Sequence, residues 1–131
     1  MEPKHPFRGV HILGEMYGIA KHFLNDSTLL ADYLTRGIEE SGATLCSLQV
    51  KQFDPSGVSI LALLSESHTS IHTYPEFGAL FFDAFTCGDR CAPQRIAAFL
   101  AQALGARHQK MTKIVRGDSS DYTTKHSLGL L

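Results

Sequence analysis

The chain has 131 residues, 44% of them hydrophobic, enough for one domain with a core of its own. Lys and Arg number 12 and Asp and Glu 13, a formal net charge of -1 that removes the electrostatic case for nucleic acid or an anionic membrane as partner. There is no run of 18 apolar residues and no signal-peptide pattern, and the three cysteines are too few for a secreted disulfide scaffold, so a cytoplasmic setting with free thiols is expected.

The first expected strand is Gly9–Tyr17, with Val10, Ile12 and Met16 on one face and His11, Leu13 and Glu15 on the other. Asp26 or Ser27 can cap a helix whose stripe is Leu29, Leu30, Tyr33, Leu34 and Ile38, and Gly42 suits its end. Residues 44–53 alternate, with Cys46, Leu48 and Val50 on one side, so Cys46 is expected in the core. Asp54-Pro55-Ser56-Gly57 is a turn signal, and Val58–Leu64 is an apolar run short enough for a buried strand. Further strands are expected over 69–74, stopped by Pro75, and over 78–87. A second helix starts near Ala92-Pro93, carries Ile96, Phe99, Leu100, Ala103 and Leu104, and stops at Gly105. Residues 107–116 form a last strand, and the tail from Gly117 is polar and has no core pattern. The order β-α-β-β-β-β-α-β, with short turns between strands, predicts an α+β fold: a two-layer sandwich with a mainly antiparallel sheet and the helices on one face.

The segment from Ser65 to Glu76 packs two histidines, three serines, two threonines and two glutamates directly after a buried strand. Taken alone, such residues are common on the wet face of an antiparallel sheet. His68 and His72 have the four-residue spacing of helical zinc ligands, but in an extended segment they would stand roughly 13 Å apart, too far to share one ion. Cys87 and Cys91 flank the short loop Gly88-Asp89-Arg90 but lack two further ligands, and no metal is expected. Ser67 lacks the glycine-flanked elbow of a hydrolase nucleophile.

Ser65-Glu66-Ser67-His68, then Ile71-His72-Thr73-Tyr74-Pro75-Glu76, then Phe85-Thr86-Cys87-Gly88 follow one another in order. With Gly9-Val10-His11, Glu40-Ser41-Gly42-Ala43, Phe53, Gly57-Val58-Ser59 and Arg116-Gly117, this pattern resembles the prokaryotic S-adenosylmethionine decarboxylase proenzymes over most of the chain. The resemblance implies that the single domain 1–131 cuts itself between Glu66 and Ser67 into a β chain, 1–66, and an α chain, 67–131. Ser67 would become a pyruvoyl group, an electron sink that takes the substrate amine as a Schiff base. It further implies His72 as the processing base, Ser59 as a hydroxyl assisting the acyl shift, and Cys87 as the proton donor after carbon dioxide leaves. Phe53 and Tyr74 would stack the adenine and Glu76 would hold the ribose hydroxyls. The product would be the aminopropyl donor for spermidine synthesis, and the protein at least a homodimer of αβ units.

Extended chain would put Ser67 and His72 about 16 Å apart. The run 66–69 is therefore expected to bend back, with the scissile bond at a turn between two strands. The chain departs from the family pattern at Ile60, where a glycine is common, at Val10, where an arginine is, at Tyr74, often tryptophan, and at Ser56, often larger. These positions bear on the substrate, so the same chemistry on arginine or ornithine is the alternative. A non-catalytic relative that binds a partner enzyme or a metal is the alternative from another class.

Overall fold

The computed structural model describes residues 7–65, 67–87 and 91–117. Six strands form one sheet: β1 (Gly9–Tyr17), β2 (Leu45–Gln52), β3 (Val58–Leu64), β4 (Ser67–Tyr74), β5 (Ala79–Cys87) and β6 (His108–Arg116). Their spatial order is β2-β3-β4-β5-β1-β6 and every neighbouring pair is antiparallel. Strands β2 to β5 form a meander through short connections, and β1 slots between β5 and β6. The long helices α2 (Ser27–Glu40) and α3 (Pro93–Leu104) lie side by side on one face, giving the expected two layers.

Local chemistry explains the helix ends. The Asp26 carboxylate accepts the Leu29 backbone N–H at 3.0 Å, a side-chain N-cap for α2. Pro93 opens α3, where its missing N–H costs nothing, and Gly105 closes it at φ +67°, a conformation that suits a residue without Cβ. Leu30, Leu34 and Ile38 of α2 and Ile96, Leu100 and Leu104 of α3 are fully buried against Ile12, Met16, Ile60, Leu64, Ile71 and Leu80 of the sheet. Alternation then forces the intervening strand residues onto the other face. Among the described residues that face has no covering layer, and it exposes Leu13, Leu61, Leu63, Phe81 and Ile114.

Two short elements lie outside the sequence reading, α1 (Lys21–Leu24) and a 3-10 turn at Pro75–Phe77. Neither is long enough to show a period. Cys46 is exposed rather than in the core, because the pairing of β2 with β3 shifts register between Leu45 and Ser47 and breaks the alternation. Strand β4 begins at Ser67, two residues earlier than expected. The polar tail beyond Gly117 and the loop between Cys87 and Cys91 lie outside the described residues.

Candidate active site

The Glu66–Ser67 bond joins β3 to β4, at a connection between two strands; Glu66 itself lies outside the described residues. Leu64 pairs with Ser67. Ser67 is buried, and its hydroxyl donates to the Ser65 carbonyl at 3.2 Å, so the hydroxyl is held against the chain just before the Glu66–Ser67 bond.

Cys87 ends β5 on the open face. His68 pairs with Phe85, so the start of β4 and the end of β5 share one end of the sheet. Ser67 and Cys87 therefore share that end of the sheet, Ser67 on the helix-covered face with Thr69 and Ile71 and Cys87 on the open one.

Ser59 and His72 belong to the other end. Ser59 Oγ and His72 Nδ1 are 2.7 Å apart, on paired positions of β3 and β4, and His72 faces Phe81 of β5. The expected bend in β4 is absent. Pairing of β3 with β4 runs without interruption from Ser59↔His72 to Leu64↔Ser67. Hydrogen bonding along both sides of β4 outweighs any local preference of its polar run. Five residues of strand separate His72 from Ser67, about 16 Å, and six separate Phe81 from Cys87, about 20 Å. Within one chain His72 cannot reach Ser67.

The expected substrate residues accompany His72. Tyr74 lies on the same face, its ring 4.9 Å from that of Phe81. Phe53 follows β2 at this end and is exposed, with the Lys51 ammonium 5.9 Å from its ring centre. Glu76 is exposed on the Pro75–Phe77 turn.

Between the two ends lies a cluster that sequence reasoning missed. Asp83 Oδ2 is 2.7 Å from His11 Nε2 and 3.1 Å from His68 Nε2, and Ser70 donates to its other oxygen. Burial pushes the Asp83 carboxyl up, but the hydrogen bonds from Ser70, His11 and His68 outweigh it and hold the group below the ordinary carboxylate range. An Arg116 nitrogen lies 3.1 Å from His11 Nδ1. A guanidinium can only donate, so Nδ1 accepts, and Nε2 carries the proton given to Asp83. The donor atoms of His11, His68 and Asp83 lie within 4.8 Å of one another, close enough for a metal ion. In this arrangement, however, both nitrogens of His11 are engaged in hydrogen bonds, and Nε2 points a proton where an ion would need a lone pair. No sequence spacing signals the cluster. Its members stand on three strands, up to 72 residues apart, and meet only through the register of β1 with β5 and β5 with β4.

Comparison with known proteins settles the family. The family model for S-adenosylmethionine decarboxylase matches residues 10–117. The chain belongs to the S-adenosylmethionine decarboxylase family. It is 41% identical over 109 residues to the S-adenosylmethionine decarboxylase proenzyme of Brevibacillus brevis, covering 83% of this chain and 82% of that one. The proenzyme of Prochlorococcus marinus is 42% identical over 108 residues, covering 82% and 86%. The crystal structure of the adenosylmethionine decarboxylase from Aquifex aeolicus superposes with TM-score 0.74 at 28% identity, over 86% of this chain and 91% of that one. The Trypanosoma brucei AdoMetDC-delta26 monomer shares the fold at TM-score 0.59 and 18% identity, and this chain covers 93% of itself but 52% of that protein. These relatives are decarboxylases, and their names give no support to the arginine or ornithine alternative. Among the described residues, no helix is long and apolar enough to cross a membrane.

Proposed function

We propose that this chain is a cytoplasmic pyruvoyl-dependent decarboxylase of S-adenosylmethionine that cuts itself before Ser67 and works as a homodimer with composite sites. One observation carries the composite site. Ser67 and Cys87 lie at one end of the sheet, and the Ser59–His72 pair lies on the open face at the other end.

A two-fold axis through the middle of that face would bring the Ser59–His72 end of one copy over the Ser67–Cys87 end of its partner. Exposed Leu13, Leu61, Leu63, Phe81 and Ile114 give the two faces an apolar surface to bury. Phe53, Tyr74 and Glu76 would arrive with Ser59 and His72. The aromatic rings suit the face of adenine, and the carboxylate suits ribose hydroxyls.

In processing, the Ser67 hydroxyl attacks the Glu66 carbonyl carbon. The C–N bond breaks, the nitrogen takes a proton, and the amide becomes an ester. His72 of the second copy then removes the Ser67 α-proton, and the ester C–O bond breaks to release the Glu66 carboxylate. Water finally displaces the nitrogen as ammonia. Ser59, hydrogen-bonded to His72, holds the imidazole in orientation. The residues fit a pyruvoyl group at Ser67, because that position is a buried strand start beside a thiol-bearing strand end. When present, that group supplies an electron sink for the loss of carbon dioxide. Cys87 then holds the proton that replaces the lost carboxylate.

The test is intact-mass measurement of the purified protein with carbon dioxide release from S-adenosylmethionine, arginine and ornithine. Two separate chains, 1–66 and 67–131, and release from S-adenosylmethionine are expected. Only uncut chain, or release from arginine or ornithine alone, overturns the reading.

A further inference from the structure

Gly9 stands between two functional side chains. It pairs with Cys87 on one side and with Arg116 on the other. A Cβ at Gly9 would lie 2.4 Å from the Phe85 ring, so the strip between Cys87 and Arg116 stays bare for steric reasons. Beside it lies a cavity of about 320 Å³ bordered by Phe85, Cys87, Arg116 and Arg8.

Arg116 is pre-oriented there. Its guanidinium lies 4.8 Å from the Phe85 ring centre, and one nitrogen donates to His11 Nδ1 at 3.1 Å. His11 is fixed in turn by donating to Asp83. A guanidinium has five N–H donors in a planar fork, and His11 takes one. Arg8 also borders the cavity, but among the described residues no hydrogen bond or ion pair holds its side chain.

We propose that Arg116 receives the carboxylate of the substrate's amino-acid end, and that His11 and Asp83 are its positioning residues. This rests on the function proposed above. The substrate amine must reach position 67, at the Cys87 end of the sheet. The carboxylate is borne by the same carbon as that amine, so it must enter the same end. Among the described residues Arg116 is the anchored cation there, and its fork matches a carboxylate with two parallel hydrogen bonds. Carbon dioxide carries no charge, so the contact weakens as the bond to the leaving group breaks. It therefore serves capture of the substrate, and its loss falls on KM more than on kcat.

The experiment compares S-adenosylmethionine with its methyl ester, which lacks the anion, on processed protein. Arg116→Gln is expected to raise KM for S-adenosylmethionine about tenfold or more and to weaken inhibition by the ester less than about threefold, since only the first ligand loses a charged pair. Asp83→Asn should shift the same ratio in the same direction by a smaller factor, a split that general loss of structure would not produce. Arg8→Gln should change the ratio less than Arg116→Gln does. Equal weakening of both ligands by Arg116→Gln overturns the proposal. If that variant stays uncut, Arg116→Lys, which keeps the charge, is measured instead and should retain part of the preference for the acid. If neither variant cuts itself, Arg116 serves processing and the proposal fails. If the wild-type protein releases no carbon dioxide, the proposed function fails first, and equilibrium binding of acid and ester to wild type and Arg116→Gln still decides the role of Arg116.

Discussion

Ser59 and His72 share a hydrogen bond of 2.7 Å across the β3–β4 ladder, at the end of the sheet farthest from Ser67. A pair so placed can act on Ser67 only from another copy of the chain. Two defective chains should therefore repair each other. Ser67→Ala removes the nucleophile and His72→Ala removes the base. Expressed alone, neither should be cut. Expressed together, a mixed dimer holds one site with Ser67 from the His72→Ala chain and His72 from the Ser67→Ala chain. The His72→Ala chain should then appear as two fragments on a gel, while the Ser67→Ala chain stays whole. Absence of fragments in the mixture would return the processing base to some other residue.

Two leucines separate folding from assembly. Leu34 is fully buried between α2 and the sheet, whereas Leu61 is 53% exposed on the open face. Leu34→Ala should cost about 2–5 kcal/mol in denaturant unfolding, the usual range for a leucine cavity in a core. Leu61→Lys should change unfolding of the single chain by less than about 0.5 kcal/mol, as surface substitutions do. It should, however, put a charge into the apolar face and leave the protein monomeric by sedimentation, with processing slowed in parallel. A monomeric Leu61→Lys protein that still cuts itself at the normal rate would contradict the composite site.

Asp83 gives a dependence on acid. Hydrogen bonds from Ser70, His11 and His68 hold its folded pKa below the unfolded value, despite the opposing effect of burial. The sign follows from linkage: the stabilisation is fully present above the unfolded value of about 4, and it disappears as pH falls through the lower folded value. Asp83→Asn should therefore be less stable than wild type at pH 6, and the gap should narrow below about pH 4, where wild-type Asp83 also becomes neutral. Urea unfolding across that range measures it. A gap that stays constant with pH would mean that Asp83 contributes through shape alone.

The elements were legible in the sequence because each has a period, a cap or a turn of its own. Strand β1 and helix α2 fall where the alternation of Val10 to Met16 and the stripe from Leu30 to Ile38 put them. Cys46 was not legible, because a register shift in β2 leaves no mark in an otherwise regular alternation. The candidate site was legible as a list of residues through the serine, histidine and cysteine motifs. Its division into two distant halves was not, since a motif records order along the chain and not which strand end a residue occupies. The link from Asp83 through His11 to Arg116 was invisible for the same reason: β1 lies between β5 and β6 in space, although it comes first in the sequence.

Gly9 offers the sharpest test of how closely the cavity is built. Its backbone needs no special conformation, so a side chain there meets only its neighbours. A methyl group would lie 2.4 and 2.5 Å from two atoms of the Phe85 ring and 3.1 Å from the Thr86 carbonyl oxygen. The carbonyl is fixed in the β1–β5 ladder, so the ring must turn away. Phe85 carries the stacked Arg116 guanidinium, and moving the ring removes that support. Gly9→Ala should thus cost about 1–3 kcal/mol from overpacking, reduced by the roughly 0.4–1 kcal/mol that alanine contributes by restricting the unfolded chain. Net destabilisation should be modest, and the protein should still fold. Catalysis should suffer more, with kcat/KM for S-adenosylmethionine falling about tenfold, a loss of about 1.4 kcal/mol at the transition state. Steady-state kinetics beside thermal unfolding reads both quantities. Full activity in Gly9→Ala would show that neither the Phe85 ring position nor the Arg116 stack on it matters to the reaction.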